Sequence, residues 1–109
     1  MGLTRSEIFT GEQNKLATML KAMAHPARIA ILQQILKANA CICGSLVEEL
    51  GLAQPTISQH LKELKNAGLI KGTVEGVSVC YCINPVVWNE LNEQLSGFFG
   101  AYTENAGCC

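Results

Sequence analysis

Apolar side chains recur every three or four residues over most of this chain and every second residue over one shorter stretch. In 12–24, Leu16, Met19, Leu20 and Met23 share one stripe, which predicts an amphipathic helix. His25 precedes Pro26, and a residue before proline avoids helical angles. Pro26 suits the first turn of a second helix, 26–37, whose Ile29, Leu32, Ile35 and Leu36 form a wide apolar face. Residues 45–51 read as a short helix, with Ser45 as N-cap, Glu48 as its capping-box partner and Gly51 as the stop. After a tight turn, 54–68 carries Pro55 at its start and Gly68 at its end. Ile57, Leu61 and Leu64 face inward there, and Gln54, Thr56, Ser58, Gln59, His60, Lys62 and Lys65 fall off the apolar stripe.

The period then changes. Residues 69–85 alternate around Glu75-Gly76, which predicts a β-hairpin with Val77, Val79, Tyr81 and Ile83 on one face. Cys80 and Cys82 alternate with these and are expected on the outer face. Helical spacing returns with Val86, Val87, Trp88, Leu91, Leu95 and Phe98, to about residue 99. The expected fold is mainly α with a small β-hairpin (α+β), in the order α-α-α-α-β-β-α. Two helices joined by a short Gly-containing turn, 45–51 and 54–67, form a helix-turn-helix, and the hairpin directly after makes it a winged one. Residues 1–99 are expected to be one domain, followed by a flexible tail, 100–109.

In such a motif the second helix enters the major groove with its N-terminal residues at the base edges. Gln54 and Gln59 suit adenine edges, Thr56 and Ser58 suit bases or phosphates, and Lys62 suits guanine or phosphate. His60 and Lys65 lie on the same polar side. In the hairpin, Lys71, Thr73 and Ser78 are expected at the DNA backbone.

Composition changes this picture modestly. The 109 residues carry a net charge of −1, so total charge does not announce nucleic acid. Its distribution is more useful: the first 37 residues hold five Lys/Arg against two Glu, whereas 85–109 holds three Glu and no base. No apolar run reaches the ~18 residues of a membrane span, and the N-terminus has no apolar signal core, so the expected compartment is the cytoplasm. Six cysteines come as three close pairs, Cys41/Cys43, Cys80/Cys82 and Cys108/Cys109. In a cytoplasmic chain reduced thiols are the expected state, and paired thiols point to soft metals or redox sensing.

The stretches LKAMAHPARIAILQQI, GLAQPTISQHLKELKNAGLI and EGVSVCYCINP, with paired cysteines ahead of a short helix, resemble the ArsR/SmtB family of metalloregulators, in the same order over roughly residues 12–95. The resemblance implies a homodimeric winged-helix repressor that sits on an inverted-repeat operator in double-stranded DNA and leaves when a toxic metal or metalloid binds. It implies dimerisation through the first and last helices, a role that Leu16, Leu20, Trp88, Leu91, Leu95 and Phe98 match. The arsenic-sensing branch carries Cys-x-Cys-x-x-Cys at the start of its third helix. Cys41 and Cys43 match the first two positions, and Leu46 stands at the third.

Thiolates select soft ions over oxygen ligands, and three of them suit As(III) or Sb(III). The expected inducer is therefore arsenite or antimonite at Cys41 and Cys43, with Cys108 or Cys109 supplying the missing ligand, or at a site centred on that tail pair. Other thiophilic ions (Cd, Zn, Pb), thiol oxidation or sulfide are alternative signals for the same repressor. The family's other metal site needs His, Asp and Glu on the last helix, where 85–99 offers only Glu90 and Glu93. A small thiol oxidoreductase would want Cys-x-x-Cys in a βαβ setting, which this chain lacks, so no enzyme activity and no organic cofactor are expected.

Overall fold

The computed structural model describes residues 8–42, 50–76 and 78–104, apart from the side chains of Glu75 and Ser78. Helix α1 spans Gly11–Met23, α2 Pro26–Ala38 and α3 Gln54–Asn66. Strands β1 (Ile70–Glu75) and β2 (Ser78–Ile83) follow, and α4 runs Pro85–Gly100. The expected Ser45 cap, its Glu48 partner, Leu46 and most of the helix at 45–51 lie outside the described residues, as do Cys43, Val77, Cys108 and Cys109.

Local chemistry sets the helix ends. Thr10 caps α1 through a reciprocal capping box with Gln13, each bond 3.0 Å. His25 is extended (φ −153°, ψ 133°), as its place before Pro26 requires, and its Nδ1 accepts from the Ala27 N–H at 3.0 Å. At the other end of α2, Asn39 takes the left-handed conformation (φ 50°) and donates to the Ile35 and Leu36 carbonyls. Gly68 does comparable work after α3 at φ +85°, where a side chain would be strained, and the next N–H, of Leu69, bonds the Leu64 carbonyl at 3.1 Å.

The core gathers one face from each helix. Met19 of α1, Ile31, Leu32 and Ile35 of α2, Ile57, Leu61 and Leu64 of α3, Leu69 and Ile70 at the start of the hairpin and Leu91 of α4 are all buried. Leu91 thus belongs to the protomer's own core, which corrects its expected place at a dimer interface: at 3% exposure it has little left to offer a partner. Trp88, Leu95 and Leu16 are half-buried against the same core, while Leu20 and Phe98 are exposed. β1 and β2 pair antiparallel from Ile70↔Ile83 to Glu75↔Ser78, with Gly76 at the turn at φ +64°.

Candidate nucleic-acid interface and its thiol pair

α3 presents two unlike faces. Ile57, Leu61 and Leu64 hold it to the core, and Gln54, Thr56, Ser58, Gln59, Lys62 and Lys65 are exposed on the opposite side. Two of these residues are held by neighbours on the helix: Gln54 Nε2 donates to Ser58 Oγ, and Gln59 Nε2 donates to Glu63 Oε1, both at 3.1 Å. The helix begins on Ala53, which offers no side-chain cap, with Pro55 in the first turn. The Thr56 and Ile57 amides both donate to the Ala53 carbonyl, at 3.0 and 3.1 Å, and Pro55 has no N–H, so the first turn closes on itself without a side-chain cap. Lys71 and Thr73 are exposed on β1, and Lys65 Nζ lies 3.4 Å from where a Cβ on Gly72 would stand. The hairpin and α3 thus share one polar, locally cationic side.

His60 does not belong to that side. It is 9% exposed, and its Nδ1 accepts from Arg28 Nε at 3.1 Å. Arg28 Nη1 also donates to the Ala22 carbonyl at 3.1 Å, and the His25 and His60 rings lie 4.5 Å apart. This corrects the expectation that His60 faces DNA. A residue at the edge of a helix's apolar stripe can turn to either side, and a guanidinium on the adjoining helix turns this one inward. Burial, followed by the neighbouring His25 and Arg28 charges, holds its pKa below the ordinary histidine value.

A further correction concerns the cysteines. Ile42 pairs with Tyr81 in an isolated antiparallel bridge, with backbone bonds of 3.0 and 2.9 Å in the two directions. The residues flanking a hydrogen-bonded antiparallel pair face each other at close range. Cys41 and Cys82 do so at a Cα separation of 4.3 Å and are joined in a disulfide. Cys80 is disulfide-bonded as well and is 1% exposed. The wing cysteines are therefore not plain outer-face residues, because the chain at 41–42 pairs along the free edge of β2. The sequence did carry a signal: the chain holds two Cys-x-Cys motifs of identical spacing, and Cys41 and Cys82, one from each, are the pair that meets. Among the described residues, no group of three or more His, Cys, Asp or Glu side chains is placed to hold a metal ion.

An amphipathic helix with an exposed amide- and hydroxyl-bearing face, followed by a hairpin, is the arrangement of a winged helix-turn-helix module, a DNA-binding class of fold. Residues 25–71 match the family model for bacterial regulatory proteins of the arsR family. The chain is 44% identical over 63 residues to the HTH-type transcriptional repressor SmtB of Mycobacterium tuberculosis, a match covering 58% of this chain and 46% of that protein. The match thus spans about half of that relative's length. It is 31% identical over 81 residues to the arsenical resistance operon repressor of Staphylococcus xylosus, covering 74% of this chain and 77% of the relative. HlyU from Vibrio cholerae superposes with a TM-score of 0.68 at 29% identity, over 84% of this chain and 98% of that one. The chain belongs to the ArsR family of bacterial regulatory proteins. These relatives are named as regulators of transcription and not as enzymes. No helix among the described residues is long and apolar enough to cross a membrane.

Proposed function

We propose that this chain is a homodimeric transcriptional repressor that grips operator DNA with α3 and the β1–β2 wing, and that the thiol state of Cys41 sets its affinity. The observation that carries this reading is the Cys41–Cys82 link. It ties residue 41 to β2 of the hairpin, whose partner strand β1 carries exposed Lys71 and Thr73 and packs against α3, where Gln54, Thr56, Ser58, Gln59, Lys62 and Lys65 stand exposed. A change at these two sulfurs acts where the DNA-facing side chains are held. It shifts DNA binding only if it favours one arrangement of those elements over another.

The inducer this reading favours is a thiophilic one, arsenite or antimonite, supported by the name of the Staphylococcus xylosus relative and by the preference of such ions for thiolates. Reduced Cys41 and Cys43 would supply two ligands. The third would come from Cys108 or Cys109 in the tail, 100–109, or from Cys82, which the fold brings to Cys41. A second reading, thiol oxidation as the signal, is favoured by the disulfide itself. Duplex selected from a random pool provides the probe for both. Arsenite added to the reduced protein should lower duplex affinity at least tenfold, Cys41→Ser should abolish that response, and oxidation without metal should reproduce it only under the second reading. Duplex affinity indifferent to both treatments would refute thiol control.

A further inference from the structure

The surroundings of the Cys41–Cys82 bond are unequal on its two sides. Cys41 is exposed and Cys82 half-buried. Lys71 stands directly across β1–β2 from Cys82 in the register, and Cys41 lies across from Cys82 beside the isolated Ile42–Tyr81 bridge, so the three form one row on one face of the hairpin and the bridged segment. Beside the bond a pocket of about 330 Å³ is lined by Ile35, Leu36, Asn39, Ala40, Ile83 and the two cysteines. Its lining carries no charged side chain.

We propose that this pocket is an entry site for a small uncharged thiol, and that the thiol attacks the Cys41 sulfur. The thiolate forms a bond to Cys41 Sγ, the Cys41–Cys82 bond breaks, and Cys82 leaves as a thiolate. A second thiol then attacks the mixed disulfide, frees Cys41 and departs as the oxidised dimer of the small thiol. Two thiols are oxidised to one disulfide and one protein disulfide is reduced, a transfer of two electrons, with the protons exchanged through solvent. Exposure directs the attack to Cys41. The Lys71 ammonium favours Cys82 as the leaving thiolate, because a nearby cation stabilises that charge. The pocket lining does not include Lys71 and offers no charged partner, so an anionic thiol's carboxylates would lose hydration there and a neutral thiol is favoured. Exchange removes the covalent tie between residue 41 and the wing and leaves the Ile42–Tyr81 backbone pair and the separate disulfide at Cys80 in place. Any effect of this on DNA rests on the reading given under Proposed function; the exchange itself does not.

The test uses the oxidised full-length protein, 2-mercaptoethanol and glutathione as probes, N-ethylmaleimide as quench, and tandem mass spectrometry to locate adducts. The expected first product carries 2-mercaptoethanol on Cys41 and the maleimide on Cys82, and glutathione reacts several-fold more slowly at equal thiolate concentration. Lys71→Gln should slow the first step roughly fivefold and Lys71→Arg should restore it, since only the positive charge is required. Leu36→Trp, which fills the pocket, should slow 2-mercaptoethanol as well. An adduct mainly on Cys82, equal rates for the two probes, or indifference to Lys71→Gln would each overturn the assignment. If exchange occurs at Cys41 as described and duplex affinity stays unchanged, the exchange site is supported and thiol control of DNA binding is what falls.

Discussion

At the scale of single residues, Arg28 and His60 do the most with the fewest atoms. Arg28 sits on α2 and bonds the Ala22 carbonyl of α1 and the Nδ1 of His60 on α3, so one guanidinium ties three helices. Because Nδ1 accepts, neutral His60 carries its proton on Nε2, as the hydrogen-bond pattern assigns it. Protonating Nδ1 would replace that acceptor with an N–H facing a cation, in a site that burial already makes unfavourable for charge. The folded pKa therefore lies below the unfolded value of about 6.5. The contribution to stability is complete above that unfolded value and is lost as pH falls through the folded one. Urea unfolding between pH 7.5 and 5 should show the wild type losing stability more steeply than His60→Gln; parallel curves would sink this account. Arg28→Ala should cost about 1.5–3 kcal/mol, because it removes two charge-assisted bonds and leaves buried acceptors behind. The same urea titration at neutral pH measures it.

At the scale of elements, α3 divides by face between core packing and the polar side proposed to meet DNA. Leu64 has no exposed surface, so Leu64→Ala should cost about 2–5 kcal/mol through lost burial and the cavity left behind, read as a fall in the urea midpoint. Gln59 is exposed and bonded only to Glu63 on its own helix among the described contacts. Gln59→Ala should leave stability within about 0.5 kcal/mol and weaken specific duplex binding by about 1–3 kcal/mol, read by fluorescence anisotropy. A variant that unfolds α3 or binds duplex normally would contradict this division. The same two-faced pattern made the elements legible in the sequence. The 3.6-residue stripe places α1, α2, α3 and α4 within a residue or two of their ends, and Pro26, Pro55 and Gly68 mark their boundaries. Alternation together with the Glu75-Gly76 turn signal marks the hairpin, and the observed turn falls there. The partner of the free edge of β2 is harder to read: the matched Cys-x-Cys spacing hints at it, but the pairing of 41–42 with 81–82 is non-local, and alternation by itself assigns Cys80 and Cys82 to the outer face. His60 was misplaced for a related reason, since its inward turn depends on Arg28, 32 residues away.

At the scale of the whole molecule, the surface left around α1 and α4 is too apolar to be a resting surface for water. Ile8, Phe9, Phe98, Phe99 and Tyr102 are each more than half exposed, and Leu20 is 39% exposed. Phe98 and Phe99 stack edge to face at 5.5 Å rather than covering one another. Phe98 also lines a groove with Thr10, Gln13, Leu16 and Gln94, where Gln94 Oε1 is buried without a hydrogen-bond partner among the described residues. An exposed aromatic cluster beside an unsatisfied buried acceptor is what an isologous interface leaves on one protomer when the other is removed. The proposed function asks for the same arrangement, since a helix-turn-helix that reads one half-site needs a second copy to occupy an inverted repeat whose half-sites lie about one helical turn apart. α1 and α4 already pack together, with Lys15 Nζ bonded to Glu90 Oε2 at 2.8 Å, so a change at Phe98 or Phe99 alters the outer surface and spares Leu91 in the core. The wild-type chain should therefore sediment at twice its 11.7 kDa, and a Phe98→Asp/Phe99→Asp variant at the single-chain mass with unchanged helical circular dichroism. Burying two aspartates without partners at such an interface exceeds what the remaining contacts can offset. The variant should bind a full inverted repeat no more tightly than a half-site, while the wild type prefers the full repeat at least tenfold. A wild type that sediments as a monomer, or a variant that keeps the full-repeat preference, would show that the aromatic patch is not where the two copies meet.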